Sequence, residues 1–294
     1  MDKILNGKEI AKQIDLQTVK EAEFFKIKKI QPSLHVISQG NDSACEVYMK
    51  NLQKRSVLLG IDFVLHRINE GESEQGILSL LNELNVDNKV HGIIIQMPLS
   101  SHVNHVNIQQ AINPSKDVDG CTATNLGLLA MNKCPLPPCT PSGIIEILKS
   151  SEIQIKGKHT VIIGRSIVVG KPCGLMFLNE DATITLCHSQ TTNLMDFTRQ
   201  ADILVSAIGK PNFITADFVK KGAVIIDAGI NVRDNGKITG DVDFDSVCPI
   251  VSKITPVPGG VGAMTVSILF KNTITACKFN SLPFFESSLI ADFV

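Results

Sequence analysis

One short turn gives the first chemical lead. The segment Thr160–Ile163 reads as a strand, and Gly164-Arg165-Ser166-Ile167-Val168-Val169-Gly170-Lys171-Pro172 follows it before the pattern turns helical. Strand, glycine turn and helix in that order aim backbone N–H groups and the positive end of a helix dipole at one point, where a pyrophosphate is stabilised. Ser166 stands at the second glycine position of the usual Gly-x-Gly-x-x-Gly, so an ordinary strand-to-helix turn is an equal explanation. The next strand ends in Cys187-His188-Ser189-Gln190-Thr191, with no acid to hold a ribose 2′-hydroxyl. The Arg165 guanidinium and the Ser189 hydroxyl suit a 2′-phosphate instead. The pattern favours NADP over NAD, the alternative being an exposed arginine beside a turn serine.

Metal chemistry has little support. His102 and His105 sit three apart, but no Glu-x-x-His or cysteine cluster joins them, and they read as surface histidines. The eight cysteines are scattered, with no Cys-x-x-Cys pair, in a chain too long to need disulfide staples, so they are expected as thiols. The 28 basic and 29 acidic residues nearly cancel and form no long block, which argues against nucleic acid or an anionic membrane as partner. No apolar run approaches the roughly 18 residues of a membrane span, and the start MDKILNGKEI lacks a signal-peptide layout. A cytoplasmic protein acting on small molecules is expected.

The elements that must position such a site follow from hydrophobic periodicity. Helices are expected near 7–28, 43–59 and 73–85, alternating with strands at Leu34–Ser38 and Phe63–His66 and with the apolar run Gly92-Ile93-Ile94-Ile95-Gln96. Pro135, Pro137, Pro138 and Pro141 argue against a continuing helix or strand and mark a domain junction. Beyond it, strands at Thr160–Ile163, Thr183–Cys187, Asp202–Ala207 and Ala223–Asp227 recur about every 20 residues, the spacing of a doubly wound parallel sheet. A helical pattern from Ala263 to Phe279 is expected to return to the first domain. The fold class is α/β in two domains: an N-terminal α/β domain, residues 1–141 completed by 265–294, and a Rossmann-like domain, residues 142–264. Residues 280–294 carry no assignable role.

Seven segments together resemble one family, the methylenetetrahydrofolate dehydrogenase/methenyltetrahydrofolate cyclohydrolases. They are Gln96-Met97-Pro98-Leu99, Lys116-Asp117-Val118-Asp119-Gly120, Pro138-Cys139-Thr140-Pro141, Gly164-Arg165-Ser166 with Val169-Gly170, Asp227-Ala228-Gly229-Ile230-Asn231, Gly240-Asp241-Val242 and Thr255-Pro256-Val257-Pro258-Gly259-Gly260-Val261-Gly262. The resemblance implies an NADP-linked enzyme of one-carbon metabolism, a homodimer, with tetrahydrofolate derivatives bound in a cleft between the domains and NADP on the C-terminal one. Gly164, Arg165, Ser166, Ser189 and Ile230 fall on cofactor-binding positions. Tyr48 falls on the aromatic that stacks on folate, Gln96 on the polar group lining the reaction centre, and Asp119 on the carboxylate that bonds the pterin. Pro258, Gly259 and Gly260 match the loop that closes the cleft. Each assignment has a plainer alternative in the residue itself: a half-buried tyrosine, an amide bonded to backbone, an aspartate closing the turn before Gly120.

One departure bears on mechanism. The family has Tyr-x-x-x-Lys, the lysine serving the cyclohydrolase reaction, whereas this chain reads Tyr48-Met49-Lys50-Asn51-Leu52. Lys50 and Lys54 lie roughly 160° and 120° around the helix from Tyr48, so neither is a natural substitute. Ala263 also replaces a usual proline, a minor change. Hydride removal from the methylene carbon needs positioning and no proton transfer, while hydrolysis of the methenyl product needs an acid–base group. A dehydrogenase with weakened cyclohydrolase activity is therefore expected. The alternatives are full bifunctionality through Gln96, a water or a relocated lysine, a non-catalytic folate- or nucleotide-binding protein, and an unrelated Rossmann dehydrogenase.

Overall fold

In the computed structural model, which describes residues 3–40, 43–233 and 236–281, the chain forms two compact units. One comprises Ile14–Pro137 and the positions from Leu269 on, and the other comprises the positions up to Gln13 and Pro138–Ile268. In chain order the first part of the fold is α1 (Gly7–Ile27), β1 (Ser33–Gln39), α2 (Ser43–Leu59), β2 (Asp62–Ile68), α3 (Glu74–Val86), β3 (Gly92–Ile95), α4 (His105–Gln110) and α5 (Ala123–Ala130).

The strands form a parallel sheet in the order β2-β1-β3. All four residues of β3 are buried, as a strand covered on both faces requires. The Ser73 hydroxyl caps α3 by accepting the Gly76 N–H at 3.0 Å. Ile77, Leu81 and Leu84, spaced four and three apart, then face Ile37, Ile93 and Ile95 of the sheet. Each such side chain contributes about 1.5–3 kcal/mol of burial, an upper estimate because the unfolded chain already hides some surface. Since β2 lies to one side of β1 and β3 to the other, the winding reverses between β1 and β3. The crevice at their carboxyl ends is where an open α/β sheet places a ligand.

The second part continues with α6 (Cys139–Ser150), β4 (His159–Ile163), α7 (Gly170–Asn179), β5 (Thr183–Cys187), α8 (Leu194–Thr198), β6 (Ile203–Ser206), β7 (Val224–Asp227), β8 (Asn231–Val232), β9 (Ile238–Thr239), α9 (Phe244–Val247), β10 (Lys253–Ile254) and α10 (Val261–Ser281). Five strands form a parallel sheet in the order β10-β7-β6-β4-β5, with its reversal between β4 and β6. Val161, Ile163, Leu204, Ile225 and Ile254 are buried in its core. Gly143 of α6 lies so close to α10 that a Cβ there would come within 2.8 Å of the Met264 Cβ.

The expected helices and strands are present within a few residues of their predicted ends. The proline-rich stretch differs from its reading, because α6 starts at Cys139 and carries Pro141 in its first turn. A first-turn residue has no intrahelical acceptor for its N–H, so the missing donor is harmless there. The two-residue strand β10 and the β8–β9 hairpin have no counterpart among the predicted elements. The last residues, 282–294, lie outside the described ones.

Candidate active site

The carboxyl ends of β1 and β3 open onto a cavity of about 540 Å³ lined by residues that include Cys45, Tyr48, Glu70, Gln96 and Leu99. Gln39 builds its rim: the amide nitrogen donates to Asn69 O at 3.0 Å and to Glu70 O at 3.2 Å, while Oε1 accepts the Ser100 N–H at 2.5 Å. The Ser100 hydroxyl donates to Glu70 O at 2.9 Å, which ties the loop after β2 to the one after β3. Gly40 turns the chain at φ 73°, a conformation that favours glycine. Gln96 lies just past β3, half-buried, and its Nε2 donates to Met97 O at 3.0 Å. Tyr48 reaches the cavity from α2. The cavity therefore brings together two of the sequence-predicted residues, Tyr48 and Gln96.

Leu52 and Asp119 do not line it. Leu52, one helical turn beyond Tyr48, is 1 % exposed and among the largest fully buried side chains. Lys50 and Lys54 on the same helix are exposed. Asp119 is half-buried in a loop fixed by its neighbours. Lys116 Nζ, buried, donates to Leu84 O at 3.0 Å and to Asp87 O at 2.8 Å at the end of α3, and burial lowers its pKa. Asp117, wholly buried, accepts from Thr122 N at 2.7 Å and from Asn125 Nδ2 at 3.0 Å. The turn closes through Gly120 N donating to Asp117 O at 3.1 Å, with Gly120 at φ 70°. Asp117, rather than Asp119, supplies that turn's acceptor.

A second cavity, about 270 Å³, opens at the carboxyl ends of β4, β5 and β6, with Gly164, Arg165, His188, Ser189, Ile208, Lys210 and others in its lining. A Cβ on Gly164 (φ 127°) would come within 2.3 Å of Ala207 O, and one on Gly170 within 2.1 Å of Gly164 O. Two backbone segments meet only because both residues are glycine. Ser166 takes a structural part here: its Oγ accepts from Val169 N at 3.1 Å and Gly170 N at 3.4 Å ahead of α7. Arg165 and Ser189 are exposed, as an anion site open to solvent requires. Among the described lining residues there is no carboxylate. Lys210, with its ammonium 5.3 Å from the Phe213 ring centroid, adds a second cation that sequence reasoning missed. Its only signal was its place just past a predicted strand end.

Ile230 is 63 % exposed and is not among the residues lining this cavity. The loop with Pro258, Gly259 and Gly260 packs on the start of α1, where Gly259 O accepts Lys8 N at 3.2 Å and a Cβ on Gly7 would meet Gly260 O at 2.2 Å. Elsewhere, His35 Nδ1 lies 2.9 Å from His66 Nε2, and burial together with His66 pulls the His35 pKa down to about 4. His102 and His105 are exposed, and among the described residues no group of three His, Cys, Asp or Glu is placed to hold a metal ion. None of the eight cysteines, all of them among the described residues, is in a disulfide.

These two sites can be set beside known proteins. Residues 5–119 match the model of the tetrahydrofolate dehydrogenase/cyclohydrolase catalytic domain, and residues 138–281 that of the NAD(P)-binding domain. The bifunctional protein FolD of Anoxybacillus flavithermus is 46% identical over 275 residues, spanning 94% of this chain and 97% of that one. The Bacillus subtilis FolD is 43% identical, with 94% and 97% covered. The bifunctional FolD dehydrogenase/cyclohydrolase structure from Campylobacter jejuni superposes with a TM-score of 0.91 at 41% identity, covering 94% and 98%. The Trypanosoma brucei dehydrogenase-cyclohydrolase, solved with NADP cofactor and an inhibitor, gives 0.89 at 32%, covering 94% and 97%.

Proposed function

The chain belongs to the tetrahydrofolate dehydrogenase/cyclohydrolase family and oxidises 5,10-methylenetetrahydrofolate with NADP; we propose that Leu52 leaves the family's second activity, methenyltetrahydrofolate hydrolysis, weak in this member. The observation that carries the proposal is the buried leucine one turn from Tyr48, at the position where the family has its lysine. The cavity that Tyr48 lines contains no lysine among its described lining residues.

In the dehydrogenase step a hydride leaves the carbon between N5 and N10, and the remaining cation is delocalised over both nitrogens. No side chain has to take a proton. On this reading Tyr48 offers its ring face to the flat part of folate and Gln96 supplies polar contact near the reacting carbon, while Asp119, outside the lining of that cavity, accepts from pterin N–H donors that extend past it. Their work is to hold the donor carbon in place and exclude water. When bound, NADP supplies the hydride acceptor. The second cavity fits it: glycines 164 and 170 leave a cradle that any Cβ would fill, and Arg165, Ser189 and Lys210 offer charge and hydrogen bonds for phosphate. Gly164, Arg165 and Ser189 of the lining would hold it, Ser166 would order their turn, and Ile230, outside the lining, would meet only a part of NADP that extends beyond the cavity.

Hydrolysis differs, because water adds to the carbon and protons move as a C–N bond breaks. An acid–base group contributes about 10²–10⁴-fold to such a step. Full bifunctionality would need Gln96, a water or a relocated lysine to take that part, or one of the titratable lining residues Glu70, Cys45 and Tyr48. Assaying NADPH formation and methenyl hydrolysis separately on purified protein tests the reading, and equal turnover of both would overturn it.

The same reading makes the protein a cytoplasmic homodimer. Cysteines outside any disulfide are consistent with a reducing compartment, and among the described residues no helix is long and apolar enough to cross a membrane. The outer side of β2 pairs with no described strand, and Val57, Leu58 and Val64 nearby are exposed, the kind of edge that a second copy covers. Light scattering that reports a single chain at working concentration would remove the dimer.

A further inference from the structure

Two buried carboxylates, Asp227 and Asp241, are not among the lining residues of either cavity. Asp227 ends β7, and Asp241 follows β9; they are 3 % and 0 % exposed. Asp227 Oδ1 accepts from Gly229 N at 2.9 Å and Asp241 N at 3.0 Å, and its Oδ2 accepts from Val242 N at 2.9 Å. Asp241 in turn accepts five hydrogen bonds. Its Oδ2 takes Ser206 Oγ–H at 3.1 Å, Ile208 N–H at 2.8 Å and Gly209 N–H at 3.3 Å, while Oδ1 takes Lys210 N–H at 2.9 Å and Asn231 Nδ2–H at 3.0 Å.

The donors come from two separate segments. Ser206 to Lys210 is the loop that follows β6, and Ala207, Ile208 and Lys210 of that loop line the second cavity. Asn231 belongs to the segment after β7, next to Ile230. Three consecutive amides converging on one carboxylate fix the loop's backbone more firmly than neutral acceptors would, since charge-assisted bonds are about twice as strong. No slack remains around the group: a Cβ on Gly229 would lie 2.3 Å from Asp241 Cγ, and one on Gly240 would lie 1.9 Å from Asp227 Oδ2.

We propose that Asp241 is a positioning residue for the cofactor, its carboxylate holding the 206–210 loop in register with residues 229–231 so that one wall of the NADP cavity is preformed. It touches neither reactant and acts through the backbone that it orders. The inference rests on reading the second cavity as the NADP site.

Asp241→Asn tests it. An asparagine keeps one acceptor oxygen and turns an NH₂ toward donors that now have no partner. The Michaelis constant for NADP is expected to rise about 10-fold or more, with that for methylenetetrahydrofolate changed less than about 2-fold. A merely structural role would instead lower the melting temperature and leave the two constants unsplit. Should Asp241→Asn fail to fold, Ser206→Ala and Asn231→Ala remove single donors while sparing the carboxylate, and each should raise the NADP constant alone, by about 3-fold. Folded variants with an unchanged NADP constant would overturn the inference. Arg165→Ala, run beside them, separates the two failures: if it too leaves the NADP constant unmoved, the cavity assignment fails rather than the role of Asp241.

Discussion

Placing a lysine at position 52 is the most informative single change. In Leu52→Lys an ammonium enters a position that is 1 % exposed, so the variant loses the leucine's burial, about 1.5–3 kcal/mol, and must desolvate a charge unless the chain carries it to the cavity. The net destabilisation is expected at about 2–4 kcal/mol, within what a domain pair of this size tolerates. Desolvation also lowers the new amine's pKa. A lysine brought down toward neutrality is suited to moving protons in hydrolysis at physiological pH. Tyr48 sits one turn away on the same face, so the amine can reach the same region as the Tyr48 ring. The assay is the decay of methenyltetrahydrofolate, corrected for its spontaneous rate, in native protein and variant, with circular dichroism and dehydrogenase turnover as controls. Hydrolysis should rise by about 10²-fold. A folded, dehydrogenase-active variant whose hydrolysis equals the native rate would refute the reasoning that the missing amine is the limiting group.

Removing the guanidinium in Arg165→Ala should raise the NADP Michaelis constant about 10-fold and that for NAD less than 2-fold. That is the low end for a charge-assisted contact, because Arg165 is exposed and Lys210 lines the same cavity; equal effects on both cofactors would end the 2′-phosphate assignment. Asp119→Ala should cut folate turnover by at least about 10²-fold while NADP binding by calorimetry stays unchanged, and survival of both folate affinity and turnover would leave Asp119 a loop residue. Acid stability should depend on His91, 3 % exposed, whose Nδ1 accepts from Ser33 N at 3.2 Å and whose pKa burial and Lys116 pull down to about 4 from 6.5. Between those values the unfolded chain binds the extra proton, so this contribution is complete above pH 6.5 and about 3 kcal/mol is lost as pH falls to about 4. Asp227 opposes it: burial, offset in part by backbone N–H donors, raises its pKa to about 6 from 3.8, so its contribution falls as pH rises through that window. Denaturant titrations from pH 4 to 7 should show a flatter profile in His91→Gln, and an unaltered slope would rule His91 out.

Much of this was legible because the deciding patterns are local. The isoleucine run at 93–95 marked a buried strand, and the turn between β4 and α7 is readable from its glycines, although the reason both must be glycine, backbone oxygens about 2 Å from any Cβ, appears only in three dimensions. Pro141 misled because proline's penalty depends on position in the helix, and the helix start was not predicted. Strand β10 is two residues long and exists by pairing with β7, a contact that no local pattern encodes. Lys210 escaped for a similar reason, and Asp241, although it stands in the Gly240-Asp241-Val242 motif, showed no role there. Each gains its role from segments tens of residues away, whereas Tyr48, Gln96 and Arg165 sit in motifs that carry their own context. Leu52 was visible as a departure from the family, but its burial was not.

With Leu52 in the family's lysine position, this enzyme is proposed to oxidise methylenetetrahydrofolate without keeping the acid–base group for the hydrolysis that follows. The most direct measurement follows both reactions in one preparation of the native protein, starting from methylenetetrahydrofolate and NADP. NADPH should form with methenyltetrahydrofolate accumulating as the product, its enzymatic hydrolysis about 10²-fold or more slower than the dehydrogenase turnover. Hydrolysis that keeps pace with NADPH formation, so that no methenyl product accumulates, would contradict it.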